Sequence, residues 1–101
     1  MNQFNLDGRN MTSVESFYQE IERVLAPSMK RMGRNLHAFR DVLRGGFGAH
    51  DDGEKNQIRI VYKKRMRENL GEGFTEKILK ILKESENIEY LKGEIPKEEQ
   101  F

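Results

Sequence analysis

Ile58-Arg59-Ile60-Val61-Tyr62 is β-branched or aromatic at four of its five positions and has the length of a strand, a composition that suits a pleated, half-buried surface. It follows a loop, Phe47 to Gln57, that contains Gly48, Asp51, Asp52 and Gly53 and shows no apolar periodicity. Helical patterns lie on both sides, so this run reads as a central strand. Upstream, Leu36, Phe39, Val42 and Leu43 make the apolar side of a short helix, with Asn35 as its N-cap and Gly45-Gly46 at its end. Ahead of a loop around Ser28 to Gly33, the residues Val14, Phe17, Ile21, Val24 and Leu25 recur three or four apart and form the core stripe of a longer helix, which Pro27 closes. Thr12-Ser13-Val14-Glu15 has the spacing of a capping box at its start. Asn2 to Leu6 alternates weakly and turns at Asp7-Gly8, a first short strand.

Downstream of the central strand, the basic residues 63 to 70 suit one helical turn before Gly71 and Gly73. A further helix carries Phe74, Ile78, Leu79 and Leu82 on one face, and Ile88 to Leu91 suits a last strand. The order strand, helix, helix, strand, helix, strand predicts an α/β fold, because strands separated by helices pair in parallel through crossovers. Gly93 to Phe101 is Pro- and Glu-rich and reads as a flexible C-terminal tail.

With 101 residues the chain supports one core. It has no cysteine, which excludes disulfides, thiolate metal sites and thiol nucleophiles and points to a reducing, cytoplasmic compartment. No basic stretch followed by an apolar run opens the chain, and no long apolar run occurs, so neither export nor a membrane span is expected. The 18 Lys and Arg nearly balance the 17 Asp and Glu. That near-zero sum hides a segregation: residues 1–28 carry −2, residues 29–50 carry +4, residues 51–69 carry +2 and residues 70–101 carry −3.

An enzyme would need parts that the sequence lacks. There is no phosphate-binding Gly-x-x-x-x-Gly-Lys and no dinucleotide fingerprint, and Gly45-Gly46-Phe47-Gly48 follows a helix, where glycines cap and turn. His37 and Asp41 stand four apart and share a helix face, the spacing of an acid/base pair, but no nucleophile or second carboxylate matches them. Two histidines among scattered acids make no zinc signature, and no cofactor is implied. The second helix is the informative element. Its polar side presents His37, Arg40, Asp41 and Arg44 at i, i+3, i+4 and i+7, either an ordinary solvated face or a recognition surface for a protein partner. A second possibility is nucleic-acid binding through Lys63-Lys64-Arg65-Met66-Arg67 and the arginines of that helix. The low net charge speaks against it.

Three stretches carry a resemblance: Phe4-Asn5-Leu6-Asp7-Gly8, the helix from Ser13 to Leu25 near Pro27, and Gly33-Arg34-Asn35-Leu36-His37-Ala38-Phe39-Arg40-Asp41-Val42-Leu43-Arg44-Gly45. Together they resemble the barstar family of ribonuclease inhibitors. The strand at Ile58 and the helix with Ile78-Leu79 continue the match, over roughly residues 1 to 91. The resemblance implies a single layer of three parallel strands packed with three to four helices, spanning residues 1–92 and followed by the tail 93–101. It further implies a monomer whose second helix and preceding loop plug the active site of a small secreted or toxin nuclease, protecting the producing cell. Carboxylates take the place of substrate phosphate. Asp41 matches the central inhibitory aspartate, Glu84 matches an acidic residue that also faces the nuclease, Gly45 closes the helix, and Gly33 and Asn35 begin it.

The departures from the family pattern fall on the binding face. His37 stands where a second aspartate is expected, Arg40 where an exposed tryptophan is expected, and Arg31 and Met32 where two tyrosines are expected. Acid is removed and base is added, so the expected partner is a nuclease other than barnase, with a less basic or mixed-charge cleft. Histidine is the side-chain type whose charge changes in the physiological range, and with His37 on this face binding is expected to vary between about pH 5 and 8.

Overall fold

The computed structural model describes residues 3–26, 32–44, 56–86 and 88–92, and the Ile58 run lies at the centre of its sheet. Strands β1 (Gln3–Asp7), β2 (Asn56–Val61) and β3 (Ile88–Tyr90) run parallel in the order β1-β2-β3. Phe4 sits opposite Ile58, Leu6 opposite Ile60, and Asn56 opposite Ile88. Successive side chains of a strand point to opposite faces, so these apolar residues line one face of the layer. Asn5, Gln57, Arg59 and Glu89 fall on the other, where Gln57 Nε2 donates to Glu89 Oε1 at 3.2 Å. Parallel strands require crossovers rather than hairpins. Helices α1 (Val14–Leu25) and α2 (Leu36–Leu43) lie between β1 and β2, while α3 (Lys63–Leu70) and α4 (Glu72–Glu84) lie between β2 and β3. The result is an α/β fold, three parallel strands packed with four helices among the described residues.

Phe17 ties the helices together. Its ring is fully buried and makes edge contacts with Tyr18, Phe39 and Phe74, at centroid distances of 5.1, 5.4 and 5.4 Å. One side chain of α1 thus touches both α2 and α4. Around it Ile21, Leu25, Val42, Leu43, Ile78 and Leu82 fill the interior, as their helical spacing predicts.

The end of β1 is held by a buried carboxylate. Glu20 is only 3% exposed, and a buried charge is tolerated only when its partners are good. Here Glu20 accepts from the Asp7 backbone N–H at 2.9 Å, from Asn10 Nδ2 at 3.1 Å, and from Arg23 Nε and Nη2 at 2.9 and 2.8 Å. Those hydrogen bonds hold the Arg23 pKa above its ordinary value. Gly8, directly after β1, opens a 3-10 turn (Gly8–Asn10) that Asp7 caps by accepting from the Arg9 N–H.

The structure corrects four expectations. Residues 63 to 70 form a full eight-residue helix, not a single turn. Tyr62 adopts the left-handed conformation, φ 56°, and its carbonyl accepts from the N–H groups of Arg65 and Met66, so β2 runs into α3 without a loop. Met66 is buried, which anchors that helix despite its basic composition. Strand β2 accordingly begins at Asn56 and ends at Val61, leaving Tyr62 outside it. At α1 the N-cap is Ser13, whose Oγ accepts from the Ser16 N–H at 3.1 Å. The cap thus falls one residue later than the Thr12–Glu15 spacing predicts, which puts Ser16 rather than Glu15 at the third helical position, while Glu15 pairs with Arg34. Val14, the first residue of α1, is 46% exposed rather than part of the core stripe. Leu91 extends the last strand by one bond, its N–H donating to Ile58 O at 2.8 Å. Of the expected loop 47–57 the part 47–55, together with Pro27, residues 28–31 of the earlier loop, the glycines 45 and 46 and the tail 93–101, lies outside the described residues.

Candidate partner-binding site

Helix α2 begins where Asn35, in extended conformation, accepts through Oδ1 from the Ala38 N–H at 2.8 Å. This is the cap that its sequence predicts. Phe39, Val42 and Leu43 are buried on the back of the helix. That orientation turns His37, Arg40 and Arg44 fully outward and leaves Asp41 half-buried among them.

The Asp41 carboxylate is engaged from both sides along its own helix. Arg44 Nη2 donates to Oδ1, and His37 Nε2 lies 3.6 Å from Oδ2. Such i, i+3 and i, i+4 pairs on an exposed face contribute only about 0.3–0.5 kcal/mol, so a partner can displace them. Arg40 is exposed and holds no carboxylate among the described residues, whereas Arg9, Arg23, Arg34 and Arg67 each hold one or two.

Beside this face, the C-terminal ends of α2 and α4 enclose a cleft of about 500 Å³ lined by Arg40, Leu43, Arg44, Glu84, Ser85 and Glu86. Ser85 ends α4 with its Oγ donating to Ile81 O at 2.7 Å. The fold thus brings Glu84 to Arg40 and Arg44, three of the residues singled out from the sequence. His37 and Asp41 adjoin the cleft on α2 without lining it. Asn35 is at the far end of the helix, roughly 12 Å away for eight residues at 1.5 Å each. Arg31 and Gly45 lie outside the described residues. Met32, expected on the binding face, is instead 1% exposed and packs in the core.

Sequence reasoning missed the clamp that positions α2. Glu22 of α1 accepts through Oε2 from the Met32 N–H and from Arg34 Nη1, both at 2.7 Å, and Arg34 also reaches Glu15 at 2.9 Å and Met32 O at 2.9 Å. The hydrogen bonds to Glu22 and Glu15 raise the Arg34 pKa further above its already high value. Arg34 is therefore structural and not part of a basic surface. Glu22→Gln keeps the shape but removes the charge, and should cost about 1–3 kcal/mol in urea unfolding, the usual range for charge-assisted hydrogen bonds. The Met32 amide resonance should move with it. An unchanged midpoint and an unmoved Met32 amide would show that the clamp contributes nothing. Leu43, Ser85 and Glu86 were missed as well. The acidic balance of residues 70–101 was the available signal for Glu86.

The basic run near α3 is less available than its composition suggests. Met66 is buried, and Arg67 donates to Glu76 at 2.9 Å and to Glu72, the Glu76 bond being the larger cause of its raised pKa. Among the described residues no group of three or more His, Cys, Asp or Glu is placed to hold a metal ion. None of the helices among the described residues is long and apolar enough to cross a membrane.

A three-stranded parallel layer with a capped helix turning an ionic front outward, beside a cleft of both charge signs, defines a small α/β domain. The profile of the barstar (barnase inhibitor) family matches residues 1–95, and the chain belongs to that family. Among curated proteins no sequence matches it.

Proposed function

We propose that the protein is a stoichiometric inhibitor of a nuclease, of the immunity or antitoxin type and not itself an enzyme, and that it blocks its target through the front of α2. The observation that carries this reading is the position of Asp41, half-exposed between His37 and Arg44 in the last turn of a capped helix, with Arg40, Arg44 and Glu84 at the adjoining cleft. A nuclease cleft binds the phosphates of its substrate with cationic groups. A carboxylate presented on a rigid helix can occupy such a site and accept charge-assisted hydrogen bonds from it. Asp41 has this role, Glu84 meets the edge of the nuclease, and His37, Arg40 and Arg44 set which nuclease fits. Asn35 completes the surface at the start of the helix. Membership of a family of barnase inhibitors supports the reading. The cytoplasm, where a producing cell must protect itself, is the compartment it requires.

The test is titration calorimetry of the full chain against a panel of small microbial ribonucleases and the host's own nuclease toxins. One-to-one binding is expected, and Asp41→Ala should weaken it about thirty- to 150-fold, the loss of about 2–3 kcal/mol that follows from truncating a central charged contact. Binding that survives in the variant would remove Asp41 from the mechanism. Heat with no nuclease at all would remove the inhibitor reading.

A further inference from the structure

We propose that Arg40 selects the partner, and that the cleft between α2 and α4 is shaped for a nuclease that places a carboxylate against Arg40 beside the cations that hold its substrate. The inference deepens the inhibitor reading above and rests on it. Three observations support it. Asp41 is already paired with Arg44 in the free protein, and His37 Nε2 stands 3.6 Å from its other oxygen. A partner cation that takes Asp41 therefore displaces Arg44 and leaves two guanidinium groups, Arg40 and Arg44, on one wall of the cleft. Arg40 is exposed and without a carboxylate among the described residues, in a protein where most arginines are bound to acids. The opposite wall, Glu84 and Glu86, carries the other sign.

A cleft with one basic and one acidic wall is complementary to a surface that alternates in charge. It is a poor match for a uniformly cationic one, where like charges at close range cost several kcal/mol. It is also a poor match for a nucleic acid. A chain of phosphates drawn to Arg40 and Arg44 would meet Glu84 and Glu86 across the same opening. A protein side chain brings one carboxylate to the arginines and sets a lysine or arginine against the glutamates.

The probe is barnase, the nuclease in the family's own description, which must bind an RNA backbone and so presents cations. Titration calorimetry of the full chain with barnase compares wild type, Arg40→Gln and Arg40→Glu, with circular dichroism showing that these exposed substitutions leave the fold unchanged. The affinity for barnase should rise at least about tenfold in Arg40→Gln, and further in Arg40→Glu, as repulsion is removed and then reversed. The tightest nuclease from the panel should lose at least about tenfold with the same two variants. An affinity for barnase that falls or stays level would overturn the proposal, as would a panel partner indifferent to Arg40. Single-stranded RNA bound by wild type, with a steep salt dependence, and released by Arg40→Glu would overturn it in favour of nucleic acid. The two readings fail separately. A panel nuclease lost on Asp41→Ala but unmoved by Arg40→Glu leaves the inhibitor and removes the selector. Barnase binding created by Arg40→Glu in a protein that binds no panel nuclease leaves the selector and removes the inhibitor.

Discussion

Phe17→Ala should lower the free energy of unfolding by about 3–5 kcal/mol, the range for removing a large aromatic side chain from a packed core. The ring is fully buried and meets Tyr18, Phe39 and Phe74 edge-on, geometries that add to simple area burial. Small domains have total stabilities of about 5–15 kcal/mol, so the variant should be partly unfolded near room temperature or close to it. Urea unfolding followed by circular dichroism measures the loss. Phe17→Leu, which keeps much of the volume, should lose markedly less. Equal losses in the two variants would mean that the edge contacts and the cavity do not matter. Because Phe17 touches both Phe39 of α2 and Phe74 of α4, the leucine variant should also loosen the spacing across the cleft, and partner affinity should drop even where the protein stays folded.

Gly8→Ala should be nearly as damaging for a different reason. A Cβ built on Gly8 would lie 2.1 Å from Tyr62 O, 2.9 Å from Tyr62 C and 3.2 Å from Met66 N. All three are backbone atoms, so no side chain can swing aside. The β1–turn junction and the β2–α3 junction would have to separate, at a cost of about 3 kcal/mol or more, comparable to severe overpacking. Gly73, inside α4, has nothing within 4 Å of its built Cβ. Gly73→Ala should therefore stabilise by about 0.5–1 kcal/mol through helix propensity alone. Thermal melts of the two variants should move in opposite directions. A tolerated Gly8→Ala would mean that the two junctions do not make the close approach described.

How much of this was legible in the sequence follows from how local each cause is. Asn35 and the stripe Leu36, Phe39, Val42 and Leu43 belong to one helix, and reading them in order was enough to place α2 and its front. The parallel sheet was legible because Ile58–Tyr62 is so strongly strand-like between two helical patterns. The resemblance to barstar pointed to the same architecture, and the family match over residues 1–95 confirms it. Helix α3 was underestimated because its start is set by the left-handed Tyr62 and its anchor is the lone buried Met66, neither of which shows as periodicity. The Thr12–Glu15 spacing misled by one residue, since the helix takes the adjacent hydroxyl of Ser13 as its cap, and Glu15 meets Arg34, nineteen residues away. Arg34 itself was counted as part of a basic segment, and only the fold reveals that Glu15 and Glu22 consume it. At the candidate site the four front residues were readable from helical spacing. Their meeting with Glu84 and Glu86 depends on how two helices pack, which no spacing rule reports.

The pairing of β1 with β2 has a bearing on how the molecule comes into being. Gln3 finds its partner in Gln57, more than half the chain away, and α2 lies within the segment that this pairing closes. Contacts of such long sequence separation form late and slow the search for the native state. During synthesis the first strand must wait until residues beyond Val61 have left the ribosome, and the α2–α4 cleft must wait for Glu86. If the inhibitor reading proposed above holds, the binding face would thus be among the last features the chain acquires, and the rate of that closure, rather than affinity, would set how early each new copy can act.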